Sequence, residues 1–535
     1  MKRRVLLQGA AGAALLAGGR GTAQAQSRAE TLRYVTGNTI NTLDTTMPGA
    51  TRESFGLSMN VYDRLFTFGR KKVDNYWTFD PTVIRGELAK AYSISPDGKV
   101  ITITLRDNAT WQDGSPVTAE DVKWSLDRAV SAKSLAAPQF TTGSLTKPDQ
   151  FKIVDPKTVT VTLEKPDRLA LANLCVPYAI MINSKLAKKH ATADDPWAQE
   201  WMKTNTAASG AYIVESHKPG ESTVLRRNEK WTGGPDGALP NFRRIIIQTV
   251  PEFATRANLI ERGDADLSID LAAADLPTIE KSAKAKLVSM PITNGFTHVS
   301  MNTQMAPFDN VKVRKAVAAA LAYDDMFQAS IFGRGKKLYG ADWTTTPPDV
   351  SFPQPIPNKT DLALAKKLLA EAGHPNGFST TFAYSVGTAA TAEPLAALVK
   401  EALAKVGIQV ELQKKPDAEF NTLAADRKMP FFTDGATAWL PYTYYFFYLY
   451  FTRPQRWNFS SFESKKMVDL TLDARFQTDQ AKYDDDCKQM IELFTAETPL
   501  IMLWQPNHDA AMAKSVDGYT YQFYRQADFR DLRRV

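Results

Sequence analysis

The run from Thr297 to Leu321, THVSMNTQMAPFDNVKVRKAVAAAL, constrains the chain most. It opens with alternation, passes through Pro307 and Asp309, and ends with Val313, Ala316, Val317, Ala320 and Leu321 at helical spacing, so a strand hands over to a helix. At 535 residues the chain exceeds the size at which one hydrophobic core keeps growing, and a mid-chain handover marks the change from one lobe to the next. Beyond it, Leu364, Ala365, Leu368, Leu369 and Ala372 line one helical face that Gly373 and Pro375 end. Pro394 reads as a helix start, Gly407 as the end of that helix, and Ile408 to Leu412 as a strand. Strand and helix in turn argue an α/β lobe of parallel type.

The first 25 residues read as a targeting segment. Lys2, Arg3 and Arg4 precede an apolar run from Val5 to Ala17, and Ala23-Gln24-Ala25 offers a cleavage site. The paired arginines followed by Val-Leu-Leu look like a twin-arginine signal. The apolar stretch is shorter than the roughly 20 residues that span a bilayer. Removing the segment takes away four basic residues and no acid, which lowers the formal charge from +7 to +3. Nucleic acid is therefore not indicated as a partner.

Enzyme chemistry finds little support. Five histidines, His190, His217, His298, His374 and His508, are too scattered for a metal pair, there is no Gly-x-Ser-x-Gly elbow, and Cys175 and Cys487 lie far apart in sequence. No catalytic residue, metal ligand or cofactor is expected. The two cysteines are expected to be separate and buried. A periplasmic hydrolase remains a distant alternative.

A longer block is more specific. Tyr62-Asp63-Arg64-Leu65 is followed by Glu87-Leu88-Ala89, Ser95-Pro96-Asp97-Gly98-Lys99, Leu105-Arg106, Trp111-Gln112-Asp113-Gly114-Ser115-Pro116 and Thr118-Ala119-Glu120-Asp121-Val122. Asp97-Gly98 is a hairpin turn, Val100 to Leu105 alternates as a half-buried strand, and Thr118 with Asp121 is a capping box. The order and spacing of these pieces resemble the family 5 bacterial extracellular solute-binding proteins, the ligand-capturing subunits of ABC importers. Met301-Asn302-Thr303, Pro307-Phe308-Asp309, Val313-Arg314 and Ala316 resemble the same family's lobe-crossing segment. So do Ser209-Gly210-Ala211-Tyr212, Arg227-Asn228, Trp231, and the stretch Asp361 to Gly377.

The resemblance implies a two-lobed α/β periplasmic binding protein of class II, the large peptide-binding type with an extra subdomain in the first lobe. The expected division is residues 1–25 signal, 26–293 first lobe with a subdomain at about 59–203, 294–502 second lobe, and 503–535 back in the first. It also implies a monomer in the periplasm, untethered because no cysteine lies near the cleavage site, delivering a solute to a membrane permease driven by a separate ATPase subunit. Ligand contacts are expected from Asn38 and Thr39 at the end of the opening strand, from Asn302, and from the segment running to Phe451. There WLPYTYYFFYLYF is aromatic at nine of thirteen positions, with Trp439 and Tyr442 as cleft candidates. Peptide binders of the family hold the ligand's α-ammonium with an aspartate in this segment, yet no acid occurs between Gly435 and Glu463, and Asp434 is the nearest one. A peptide is the first expectation, a carbohydrate or sugar conjugate the alternative.

Overall fold

The computed structural model describes residues 27–46, 49–131, 134–233, 237–452 and 455–535. The signal segment lies outside them. A twelve-stranded sheet runs through the molecule in the order 409–415, 379–385, 431–437, 295–301, 500–513, 267–268, 31–36, 244–249, 222–227, 212–218. Strands 285–291 and 335–337 also pair with 500–513. The sheet is mixed. Strand Ser379–Ser385 is parallel to both neighbours, but Gly295–Met301 is antiparallel to Phe431–Thr437 and to the return strand Leu500–Ala513. In the half of the sheet beyond Gly295 the parallel pattern read from the sequence thus holds only at the outer edge, where helix Ala389–Ala404 bridges two strands, while in the other half Thr31–Thr36 is parallel to both of its neighbours.

Two places carry the chain between the halves of the sheet. Strand Ala285–Pro291 gives way to Gly295–Met301. The return strand is longer than its apolar run Pro499 to Trp504 suggests. Up to Pro506 it pairs with 295–301 and 335–337, and from Asn507 onward with 285–291. Its second half is more polar because Gln505, Asn507, His508 and Asp509 serve the crossing, so hydropathy alone ends it early.

Local chemistry accounts for most element ends. Thr118 and Asp121 form the capping box of helix Ala119–Val130. Gly263 adopts φ +82° after helix Phe253–Arg262, a conformation that disfavours a side chain. Pro394 does not start its helix: the helix begins at Ala389, continuing a 3₁₀ turn at Val386–Thr388, and accommodates the ring a turn later. Outside the large sheet, strands 89–94, 100–105, 158–162 and 151–155 form a separate four-stranded sheet. The C-terminal residues pack on the first half of the chain, Thr520–Tyr521 against Trp77–Thr78 and Arg534 on Asp266.

Buried ion pairs tie distant signature residues together. The Glu87 carboxylate, fully buried, accepts from the Arg64 backbone N–H and guanidinium and from Arg530 Nη1 at 2.8 Å. Two arginines around it hold its acid below the usual range although burial alone would raise it. Cys175 and Cys487 are both buried and free.

Candidate functional site

Between the two halves lies a cavity of about 350 Å³. Its second-half wall is built on two paired strands. His298 and Ser300 alternate on Gly295–Met301, and the ladder places His298 opposite Asp434 of the neighbouring strand. Period-2 alternation sends all three side chains from one face of the sheet into the cavity. Thr437 and Trp439 continue the wall, Tyr450 comes from the aromatic helix Thr443–Phe451, and Trp457 and Phe459 from the loop beyond it. Arg52, at the start of helix Arg52–Val61, and Tyr178 face them from the first half.

The polar groups here are under-partnered. Asp434 accepts one hydrogen bond from the Gly435 N–H at 2.7 Å, and among the described residues no cation pairs with it. Its desolvated setting pushes the carboxyl up to about 6. Burial pulls His298 down to about 3, so the imidazole is neutral, and its Nδ1 has no partner. Ser300 Oγ is likewise buried and unpartnered. Buried polar atoms are ordinarily satisfied, and two exceptions, His298 Nδ1 and Ser300 Oγ, lie together on this void beside the sparsely bonded Asp434. Tyr450, by contrast, is saturated: its hydroxyl donates to the Thr437 carbonyl and accepts from the Thr437 N–H, fixing that strand end.

Aromatic rings form the remaining wall. Trp439 meets Phe55 and Tyr178 edge-on, each with ring centroids 5.5 Å apart. On its other side a second cavity of about 430 Å³ shares Tyr178, Thr437, Trp439 and Trp457 with the first and extends to Gln139, Tyr445 and Tyr448.

Of the residues expected from sequence, the structure brings Asp434 and Trp439 together in the cavity. The other four line neither cavity. Asn38 donates to Glu53, and the Thr39 hydroxyl accepts from the Gly220 N–H. Asn302 donates to the Arg427 carbonyl and accepts from the Gln304 N–H. Tyr442 is turned away, its phenol raised to about 12 by burial. Tyr450, further along the same aromatic segment, borders the cavity as well as the core. Arg52, Tyr178, His298, Ser300 and Trp457 carried no local signal beyond the strand alternation that pairs His298 with Ser300. Among the described residues no cluster of His, Cys, Asp and Glu could hold a metal ion, and no helix is long and apolar enough to cross a membrane.

Residues 83–458 match the family model of the bacterial extracellular solute-binding proteins, family 5 (middle region). The chain belongs to this family. It is 28% identical over 457 residues to the probable D,D-dipeptide-binding periplasmic protein DdpA of Escherichia coli K12, with 82% of this chain and 83% of that one covered. It is 26% identical over 447 residues to the glutathione-binding protein GsiB of Salmonella typhimurium, with the same coverage. The fold is that of the periplasmic binding protein DppA of Helicobacter pylori in complex with the peptide STSA, at a TM-score of 0.74 and 22% identity, covering 94% of this chain and 98% of that one. The family 5 protein is thus a two-lobed α/β solute-binding protein, and the cavity lies where its two lobes meet.

Proposed function

We propose that this family 5 protein is exported to the periplasm, where, as a monomer, it captures a peptide between its lobes and delivers it to an ABC permease powered by a separate ATPase subunit. In this reading residues 26–293 and 503–535 form one lobe, residues 294–502 the other, and residues 59–203 a subdomain of the first. The observation that carries the ligand class is Asp434, which among the described residues has no cation beside it, on the wall of the cavity between the lobes. A free amine supplies the missing charge, and His298 Nδ1 and Ser300 Oγ offer hydrogen bonds to the groups beside it. The relatives named for dipeptides and glutathione point the same way. The protein binds and releases its ligand unchanged.

Closure around the ligand stabilises the closed form only as far as contacts differ between open and closed states. Calorimetric titration of the ligand-stripped protein against free and N-acetylated peptides tests the reading. Free-amine peptides bind and Asp434→Ala abolishes binding; acetylated peptides binding equally well would overturn it. The aromatic wall of Tyr178, Trp439 and Trp457 also suits the apolar face of a sugar, and exclusive binding of neutral glycosides would establish that second reading.

A further inference from the structure

Beyond the second cavity the two lobes exchange arginines. Asp167 and Arg168 follow strand Thr158–Thr162 of the first lobe, while Arg475 lies in the last turn of helix Lys465–Phe476 of the second, just before helix Gln480–Glu497. Arg475 Nε donates to Asp167 Oδ2 at 2.8 Å, and its Nη2 donates to the Thr141 carbonyl at 2.7 Å and to Ser144 Oγ at 3.1 Å. In the opposite direction Arg168 Nε donates to the Gln477 carbonyl at 2.7 Å and its Nη1 to Gln480 Oε1 at 3.1 Å, with the guanidinium carbon 4.1 Å from the Tyr483 ring centroid. Asp167, Arg168, Arg475 and Gln480 line neither cavity.

The Asp167 side chain is 0% exposed and that of Arg475 10%. A buried ion pair is favourable on balance only where further hydrogen bonds satisfy its remaining lone pairs. Here the first lobe supplies them in advance: the Leu169 N–H donates to Asp167 Oδ1 and the Ser144 hydroxyl to Oδ2. The acid is held ready whatever the lobes do, and closure adds the guanidinium. Another second-lobe arginine, Arg334, pairs with Glu280 and Asp509 of the first lobe, but beside the return strand, where its carbonyl accepts from the Asn507 N–H. That bridge sits at the pivot. The Arg475 bridge sits at the rim: the first cavity touches Leu500 of the return strand, the second extends away to Thr141, and Arg475 closes on the Thr141 carbonyl.

We propose that the Asp167–Arg475 pair, with Arg168 on Gln477 and Gln480, is a latch that holds the lobes closed without a ligand, so that affinity for the solute is set in part by side chains that never touch it. A contact made only in the closed form raises the fraction of molecules in that form, and apparent affinity rises with the fraction competent to bind. The latch rests on the lobe division proposed above and not on which solute is captured.

Small-angle X-ray scattering of the ligand-stripped protein tests it. Wild type gives the compact profile of the closed structure. Arg475→Gln, and independently Arg168→Ala, shift the radius of gyration upward at unchanged circular dichroism, the closed-to-open ratio falling about tenfold or more. Should Arg475→Gln fail to fold, Arg168→Ala decides, because it removes bonds to a carbonyl and an amide and strands no buried carboxylate. A radius of gyration unchanged in the folded variants, or a wild type as expanded as they are, overturns the latch. No ligand enters the measurement, so that result leaves the peptide reading standing, and a failed peptide titration leaves the latch standing.

Discussion

His298 and Asp434 stand opposite one another on paired antiparallel strands, yet they form no ion pair, because burial keeps the imidazole neutral. The acid is left to titrate on its own. Its folded pKa of about 6 lies above the value near 4 of an unfolded aspartate, so the folded chain binds the extra proton between these limits. That contribution is fully present at low pH and is lost as pH rises through 6. Thermal melts of the ligand-free protein should therefore show wild type losing ground to Asp434→Asn as pH goes from 4 to 7. The loss is on the order of 1–2 kcal/mol after allowance for the carboxyl's opening to the cavity. With an amine ligand the sign reverses, and affinity weakens as pH falls from 7 to 5; a flat affinity profile would separate Asp434 from the amine.

Glu87→Gln should be among the most damaging single changes in the first lobe. It removes the one carboxylate shared by Arg64 and Arg530, leaving buried guanidinium charge under-compensated. Breaking a buried pair costs about 3–5 kcal/mol, read as a large drop in denaturation midpoint with unchanged slope.

Trp439→Ala should merge the two cavities that the indole separates, because both share this ring. Binding of the cognate solute weakens by about 2 kcal/mol, and ligands too long for the first cavity gain relative to it. Competition titrations with a length series would expose the shift, and a uniform loss at every length would contradict it.

Asn294 sits fully buried at the crossing between the lobes. Its amide donates to the carbonyls of Ala438 and Phe523, and its oxygen accepts from the Tyr521 hydroxyl. Asn294→Leu strands these partners and should cost about 2–4 kcal/mol in chemical denaturation.

The sequence made short-range features legible. The capping box at Thr118 and the turn at Asp97-Gly98 depend on residues a few positions apart, and Gly98 takes φ +71° as such a turn requires. The place of Asp434 and Trp439 beside a cavity is legible because the aromatic run is unusual and its lack of acids conspicuous. Arg52, Tyr178 and Ser300 carry no such signal, since their place on the cavity wall, and the missing partner of Ser300, are properties of the assembled structure. Asn38, Thr39 and Asn302 line neither cavity. Small polar side chains at strand ends satisfy backbone and neighbours as readily as a ligand, and here they do the former.

The return strand Leu500–Ala513 serves both halves of the large sheet without a break, exchanging partners between Pro506 and Asn507. A loop at that point would let the halves swing like a door on a cord. A continuous strand acts as a torsion bar instead: relative motion has to be taken up as twist and bend in a backbone whose hydrogen bonds are already engaged on either side. The return path therefore limits both the amplitude and the direction of opening.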